Sequence, residues 1–278
     1  FATESIGRYA VLINANDLAT AGAEARWMLA ALLLPCGFSR SQVRQIFVDL
    51  HDACRSQDIT LCGGHTEITD AVRRPVVTGM LTGTIARDDL IQKKRMSPGD
   101  RVLVTKGVAV EGTAIIAAEF RDLLLEKGMD AQEIDACQAF QSMLSILPEA
   151  RIAWEIDGVS ALHDVTEGGI ATALAELSLA GGRGIRIQHD RVPVYPQTRR
   201  VAQILGINPL GLIGSGSLLI CCRPQHAGKL AEDLQNAGIA VTDIGEVTPD
   251  EAGIEALENG RSVTWPRFDV DEITRLFA

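Results

Sequence analysis

Carboxylates and glycines occur side by side at three places in the sequence, where together they could bind a phosphate group through a divalent cation. The segments are Asn16–Ala23 (N-D-L-A-T-A-G-A), Cys62–Glu67 (C-G-G-H-T-E) and His163–Ile170 (H-D-V-T-E-G-G-I). Carboxylate oxygens are the ligands that magnesium prefers, and paired glycines let backbone N–H groups approach an anion closely. We therefore predict magnesium-assisted binding of a phosphate-bearing ligand such as a nucleotide.

Each segment also has a structural explanation that needs no ligand. Asp17 could cap a helix that follows a strand at Tyr9–Asn14, since Asn and Asp are favoured at helix starts. The glycine pair could form a tight turn in which His65 is incidental, and Thr166 could cap the next helix. His65 suits hydrogen bonding better than metal binding, because no second histidine stands at ligand spacing. The three segments together favour a binding role over three unrelated structural ones.

Residues outside these segments are weaker candidates. Lys106 and Glu111, within K-G-V-A-V-E-G-T, could approach a phosphate or a substrate, and a solvated loop is an equal alternative. Ser215 and Gly216 could supply a further turn at the same cleft. A nucleophilic role for Cys62 ranks low, because cysteine more often serves as a small buried apolar side chain.

The overall composition excludes several classes of protein. The chain has 278 residues, a formal net charge of −10 and 46% hydrophobic residues, which is typical of a packed globular protein. An acidic protein repels nucleic acid and anionic membranes, so neither is an expected partner. Six cysteines without a C-x-x-C pair favour reduced thiols. The apolar stretch Trp27–Pro35 is too short to cross a bilayer, and we expect a soluble, cytoplasmic protein.

Apolar runs and turn residues predict two domains in series, each with α/β or α+β architecture. The turn cluster Met96–Asp100 is the predicted boundary, which gives domains 1–97 and 98–278. In the first domain we predict strands at Tyr9–Asn14, Asp58–Cys62 and Val76–Ile85, and helices at Leu18–Met28 and, capped by Ser39, at Ser41–Ser56. In the second we predict strands at Arg101–Thr105, Val159–Leu162, Ile185–Gln188, Ser217–Cys222 and Ala240–Val247, and helices from Glu111 and at Ala131–Ser145, Gly168–Ala180 and Gln225–Ala237.

The runs NDLATAGA, GGHTE and DVTEGGIATAL, in this order, resemble the AIR synthase-like (PurM-like) superfamily. That group includes AIR synthase, thiamine-monophosphate kinase, selenophosphate synthetase and the hydrogenase-maturation protein that dehydrates a carbamoyl thioester. The resemblance covers essentially the whole chain. It is greatest to the hydrogenase expression/formation (HypE-like) branch and to AIR synthase-related proteins. It implies a two-domain fold, with N-terminal sheets of two protomers paired into a dimeric barrel, a C-terminal α/β sandwich, and ATP in a cleft beside the dimer interface.

The resemblance also implies the residues that bind the cofactors ATP and magnesium. Asp17 and Asp164 match the aspartates that bind the metal, and His65 stands where several relatives have Asp or Glu. No residue is assigned a catalytic role. The predicted nucleotide-binding residues are Asn16, Asp17, Gly63, Gly64, Thr66, Asp164, Gly168 and Gly169. The glycine-rich loop that precedes the first strand in the family, and the C-terminal cysteine of hydrogenase-maturation proteins, are not among the 278 residues.

The function implied is that of an ATP- and magnesium-dependent enzyme. It would activate or phosphorylate an amide-, carbamoyl- or phosphate-bearing acceptor, either a small molecule or a group carried by a protein, and would act as a homodimer. The first alternative is a small-molecule kinase resembling thiamine-monophosphate kinase. The second is a non-catalytic accessory module that binds nucleotide and docks to a partner.

Overall fold

The structure, a computed structural model, describes residues 5–277. The chain divides into two units, residues 1–90 and 91–278, and each unit combines helices with a β-sheet. The prediction of an α/β chain with two domains is therefore confirmed. The units divide at Leu90, whereas the boundary after Ser97 stays a prediction from the turn residues.

The first unit is a three-stranded sheet with two helices. Its elements are α1 (Ile6–Ala19), β1 (Glu24–Pro35), α2 (Arg40–Ser56), β2 (Thr60–Thr69) and β3 (Val76–Thr84). β1 lies in the centre, parallel to β2 and antiparallel to β3. Ser39 starts α2 as predicted: its hydroxyl accepts the N–H of Gln42, whose side-chain oxygen accepts the N–H of Ser39. This capping box fixes the start of the helix.

The two faces of the first sheet differ in burial. Met28 is buried and contacts Cys54 of α2, with 3.8 Å between the sulfur atoms. Alternate residues of β1 point the other way, and there Trp27 is 48% exposed and Leu29 is 43% exposed. Met80 of β3 pairs with Leu29 and is 57% exposed. We call this apolar surface the outer face; it comprises Trp27, Leu29, Ala31, Val76 and Met80.

The first two elements are the reverse of the prediction. Tyr9–Asn14 lies inside α1 and is not a strand, and most of Leu18–Met28 is the end of α1 and the start of β1. The buried residues Tyr9, Leu12 and Asn16 recur at helical spacing, but the apolar residues between them hide that period. β1 was missed because both of its faces are apolar, so its sequence lacks alternation.

The second unit is built on a seven-stranded sheet. Its strands are β4 (Arg101–Thr105), β5 (Val159–Asp164), β6 (Gly184–Gln188), β7 (Leu218–Cys222), β8 (Val241–Thr248), β9 (Gly253–Glu258) and β10 (Arg261–Val263), in the order β10-β9-β6-β8-β4-β7-β5. Its helices are α3 (Val110–Glu119), α4 (Arg121–Glu126), α5 (Ala131–Gln138), α6 (Leu147–Trp154), α7 (Gly169–Gly181), α8 (Pro196–Leu205) and α9 (Pro224–Asn236).

Both faces of the second sheet are covered. Leu174 and Leu177 of α7 share a buried cluster with Val104 of β4 and Cys221 of β7. Alternate residues of the same strands, such as Ile220, are fully buried as well; α6 contacts β5 and β7, and α9 contacts β8. The sheet is therefore the middle layer of the unit, and its strand ends are held rigidly.

Most elements predicted for the second unit are confirmed to within two residues. The predicted helix Ala131–Ser145 is shorter: α5 ends at Gln138 and a 3₁₀ segment, Ala139–Met143, follows it. The hairpin of β9 and β10 and the helices α4, α6 and α8 were missed. Across residues 5–277, no helix combines the length and the apolar character that crossing a bilayer requires.

Candidate functional site

The glycine pair Gly63-Gly64 lies within β2, which continues beyond the predicted strand end at Cys62, so the pair does not form the tight turn that was the alternative. Met28 pairs with Leu61 and Leu29 pairs with Gly63, so Cys62 is an extra residue that forms a β-bulge. A side chain at Gly64 is excluded, because its Cβ would lie 1.8 Å from the carbonyl oxygen of Ala30. β2 continues through this segment because the bulge and the missing side chain of Gly64 let its backbone lie close to Ala30 of β1.

Gly63–Thr66 line one side of a groove of about 360 Å³ between β2 and α2. Phe47 and Leu50 of α2 form its apolar side. Gly63 differs from Gly64. Apart from its two chain neighbours, no described residue has an atom within 4 Å of a Cβ placed on Gly63. The Thr66 side chain alternates onto the groove side of β2, where its hydroxyl can meet a polar ligand.

His65 and Glu67 alternate onto the opposite side of β2, the side of the outer face. The His65 Nε2 lies 3.5 Å from the Glu67 carboxylate, and both side chains are largely exposed. The G-G-H-T-E segment therefore divides between two surfaces. The sequence could not show this division, because the bulge at Cys62 determines which residues face the groove.

Asn16 and Asp17 lie in the last turn of α1, and not at the start of a helix as predicted. Asn16 is buried, Asp17 is exposed, and the carbonyl oxygens of both accept the N–H of Thr20. The negative end of the helix dipole disfavours a carboxylate at this position. Capping of a following helix therefore does not explain Asp17.

Asp164 ends β5 and precedes the start of α7, as predicted. The carboxylate is 6% exposed, and Gly168 is the residue before the first turn of the helix. Thr166 is not the cap, since Gly168 holds that position. The carbonyl oxygen of Thr166 accepts the N–H of Gly169 at 3.1 Å and that of Gly214 at 3.2 Å. We call residues Asp164–Gly169 the D-V-T-E-G-G loop.

Packing within the chain already requires both glycines of this loop. Gly168 and Gly169 have φ angles of +71° and +60°, which favour glycine. A Cβ on Gly169 would lie 2.5 Å from the carbonyl oxygen of Leu210, and one on Gly168 would lie 2.2 Å from the Thr172 hydroxyl. The helix start therefore has a fixed shape before any ligand arrives.

Asp271 is a residue of this site that sequence reasoning missed. Its carboxylate accepts the N–H of Gly168 at 2.7 Å and the N–H of Ile273 at 2.9 Å. Burial raises the pKa of Asp271. The resemblance implied that Gly168 lines the phosphate region, yet its N–H already bonds to a carboxylate of the same chain. A partner 103 positions away leaves no local signal.

His163 lies directly before Asp164 and is mostly buried. Its Nε2 is 3.1 Å from the Glu176 carboxylate on α7, and its Nδ1 is 3.7 Å from the Asp164 carboxylate. Burial lowers the pKa of His163, and the charge of Lys93 acts in the same direction. The imidazole therefore links the end of β5 to α7 and helps to orient the strand end that carries Asp164.

Lys106 does not lie in a solvated loop, because its ammonium group is bonded within the chain. Its ammonium group is 2.7 Å from the Glu149 carboxylate, which is fully buried. Burial lowers the pKa of Lys106. The same group donates to the carbonyl oxygens of Met143, Ser145 and Gly216 at 2.8–3.0 Å. Lys106 thus holds the Ser215-Gly216 turn in place.

Four of the six cysteines are buried. Cys221 and Cys222 are buried in β7, and burial raises the pKa of both thiols, that of Cys222 to about 11. Cys62 is exposed at the bulge.

Within the part of the chain that the structure describes, no three His, Cys, Asp or Glu residues are grouped to hold a metal ion. Asp17 and Asp164, the predicted metal ligands, belong to different units.

Family models match both halves of the chain. Residues 1–85 match the N-terminal domain of AIR synthase related protein, and residues 97–257 match its C-terminal domain. The chain belongs to the AIR synthase related protein family.

Similar proteins within this family include hydrogenase-maturation proteins. Carbamoyl dehydratase HypE of Cupriavidus necator is 26% identical over 88% of this chain and 68% of its own length. The crystal structure of Escherichia coli HypE has a TM-score of 0.82 and 24% identity, and the match covers 96% of this chain and 82% of that one. A crystal structure of HypE in complex with ATP has a TM-score of 0.79 and 20% identity, over 96% and 81% of the two chains.

Proposed function

We propose that the protein is an ATP- and magnesium-dependent enzyme that activates or phosphorylates an amide-, carbamoyl- or phosphate-bearing acceptor. The observation that carries the proposal is the position of Asp164, buried at the end of β5 and directly before a helix that starts with glycines. This arrangement offers a carboxylate for a cation next to a helix N-terminus, which attracts anions. Its relative HypE of C. necator is named a carbamoyl dehydratase, and a HypE crystal structure contains ATP.

Each of the two aspartates has a side chain that suits magnesium. Both offer carboxylate oxygens, which suit a hard cation. Asp17 lies at the negative end of α1, and Asp164 is mostly removed from water, so a cation would stabilise each of them. Bound magnesium would neutralise the charge of the triphosphate and make its terminal phosphoryl group easier to transfer.

The remaining predicted residues would orient the nucleotide. Gly63 lines the groove beside α2, and Thr66 offers a hydroxyl to it. Gly64 and Gly169 would keep the backbone in shape, because neither position accepts a side chain. Asn16 would support Asp17 from the buried side of α1. At the helix start, a phosphate oxygen would share the N–H of Gly168 with Asp271 or displace it.

We further propose that the protein is a homodimer that buries the outer face of its first sheet. Trp27, Leu29 and Met80 are exposed side by side on this face. Contiguous exposed apolar surface marks an interaction site. A second copy of the chain would cover it with a surface of the same composition, as two-fold symmetry requires.

Calorimetric titration with a non-hydrolysable ATP analogue and magnesium tests the site. We expect Asp17→Asn and Asp164→Asn each to weaken binding at least about tenfold, since each removes a charged ligand. Asp70→Asn and Asp157→Asn change exposed aspartates, one after β2 and one before β5, and should leave the affinity unchanged. Wild-type affinity in both site variants would reject the assignment.

The acceptor is tested by turnover. Release of ADP or AMP that depends on a carbamoyl or amide compound supports the proposed reaction. ATP-dependent phosphorylation of thiamine monophosphate would instead indicate a kinase. Tight binding of ATP without turnover of any acceptor would indicate an accessory module.

A further inference from the structure

Glu111 is a buried acid in the K-G-V-A-V-E-G-T segment that the proposed binding residues leave without a role. It lies in the first turn of α3 and is 2% exposed. Its Oε2 accepts the backbone N–H of Ser215 at 3.3 Å. A carboxyl group at this depth is rare unless it is hydrogen-bonded, and its charge depends strongly on its neighbours.

The contact of Glu111 connects α3 to the D-V-T-E-G-G loop through one turn. The N–H of Gly214, at the start of that turn, donates to the carbonyl oxygen of Thr166 at 3.2 Å. The N–H of Gly112, next to Glu111, donates to the carbonyl oxygen of Ile213 at 2.9 Å. The turn at Ile213–Ser215 is therefore hydrogen-bonded both to the start of α3 and to the loop that ends in Gly168-Gly169.

The backbone before Glu111 is held in an unfavourable conformation. Ala109, which precedes α3, has a φ of +60°, a left-handed conformation that is uncommon for residues other than glycine. Such a conformation persists only where the surrounding contacts impose it, and it recurs at ligand sites. Contacts with surrounding residues therefore fix the start of α3. These include the turn at Ile213–Ser215, which also contacts the D-V-T-E-G-G loop.

We propose that Glu111 is a positioning residue of the nucleotide site, which holds the D-V-T-E-G-G loop in its binding shape and weakens anion binding there when it becomes charged. The inference rests on the proposed function, because it takes this loop to be the place where the phosphate chain lies. The pKa of Glu111 is raised to about 7, mainly by burial; hydrogen bonds from Ser215 oppose this rise, and the charge of Glu167 adds to it. The group can therefore change charge near neutral pH.

The charged groups around Glu111 set the sign of this effect. Glu167 on the loop is an acid whose charge acts on Glu111, and Lys106, which donates to the carbonyl oxygen of Gly216, is a base bonded to the same turn. Ionisation of Glu111 adds a negative charge near the acidic loop, and this charge would repel a phosphate group bound there. Buried charges are poorly screened by salt, so the effect persists at ordinary ionic strength.

The experiment compares nucleotide affinity at about pH 6 and about pH 8 for the wild type, Glu111→Gln and Glu111→Ala. The ligand's own titration is common to all variants. We expect the wild type to lose roughly tenfold more affinity than Glu111→Gln over this range, because a charge of the same sign is added nearby. Glu126→Gln, an exposed site on α4, should follow the wild type. Equal pH dependence in wild type and Glu111→Gln overturns the proposal.

Amide hydrogen exchange without nucleotide tests the positioning role separately. In Glu111→Ala the amides of Ser215 and Gly214 should exchange at least about tenfold faster than in the wild type, since their hydrogen-bonded anchor is lost. Glu111→Gln keeps an acceptor oxygen and should restore slow exchange. Unchanged exchange in Glu111→Ala overturns the positioning role. If exchange responds as expected while no variant binds ATP, the proposed function fails and the positioning role stands.

Discussion

The carboxylate of Asp271 accepts a hydrogen bond of 2.7 Å from the backbone N–H of Gly168, 103 positions earlier in the chain. The protein thus supplies its own anion to the start of α7. The same C-terminal segment is attached to α7 a second time, where the indole N–H of Trp265 donates to the carbonyl oxygen of Ala171 at 3.3 Å. Two hydrogen bonds therefore hold the segment that contains Trp265 and Asp271 against the start of α7.

Replacing Asp271 with alanine should destabilise the second unit. The N–H groups of Gly168 and Ile273 would both lose their acceptor in a buried place, which costs roughly 1–3 kcal/mol for each unsatisfied group. Urea unfolding followed by tryptophan fluorescence measures the loss. Asp269→Ala, an exposed neighbour, should change the free energy of unfolding by no more than about 0.5 kcal/mol. Equal stability of the two variants would contradict the role of Asp271.

Gly64→Ala should distort the first sheet. The new Cβ would lie 1.8 Å from the carbonyl oxygen of Ala30, so β1 and β2 must separate. We expect a loss of roughly 2–4 kcal/mol in the free energy of unfolding, as for overpacking combined with backbone strain. Gly63→Ala is the matched variant, since its Cβ would meet open space. It should cost less than half as much, and the reverse order would contradict the bulged register.

The stability of the protein should depend on pH through Glu111. Its pKa is raised from 4.5 to about 7 in the folded state, so the folded state holds this proton more tightly. The stabilisation is complete below pH 4.5 and is lost as the pH rises through about 7, a total of roughly 3 kcal/mol. The free energy of unfolding of the wild type, minus that of Glu111→Gln, should fall by that order from about pH 4.5 to about pH 8. The corresponding difference for Glu126→Gln should stay flat.

A charge on the outer face should produce monomers. Met80→Glu places a carboxylate among Trp27 and Leu29, where burial in an interface would be costly. Sedimentation velocity at micromolar concentration should show dimeric wild type and monomeric variant. Leu179→Glu, at a side chain that is also largely exposed but lies on α7, should remain dimeric. A monomeric wild type would remove the dimer proposal.

The sequence was most informative where apolar runs are short and bounded by turn residues. Arg101–Thr105 is a strand with the predicted ends, and Ser39 caps α2 as predicted. The first two elements could not be assigned in this way, because Tyr9–Asn14 and Trp27–Pro35 are apolar on every side. The missed β9–β10 hairpin did carry a signal, since Asn259-Gly260 is a favoured two-residue turn and both residues have positive φ.

The sequence identified the segments of the candidate site, but it could not show how their residues are arranged and what they contact. Asp164 and Gly168 lie where the pattern of strand end and helix start placed them. Asp17 has a different position, at the end of a helix, because the period of α1 was hidden. The contacts of Glu111 and Asp271 join residues more than 100 positions apart. Such pairings are products of the tertiary fold and leave no local pattern in the sequence.

The extra residue at Cys62 resets the alternation of β2. Upstream of it, Leu61 is on the inner side with Met28, and downstream, Gly63 is on the outer side with Leu29. If Cys62 instead paired regularly with Leu29, without a bulge, every later residue of the strand would shift by one position and its side chain would change sides. His65 and Glu67 would then turn inward beneath α2, and Thr66 would leave the groove. The bulged pairing at this one residue thus separates a polar ligand surface from a charged strand edge, so the register of this segment matters as much as its composition.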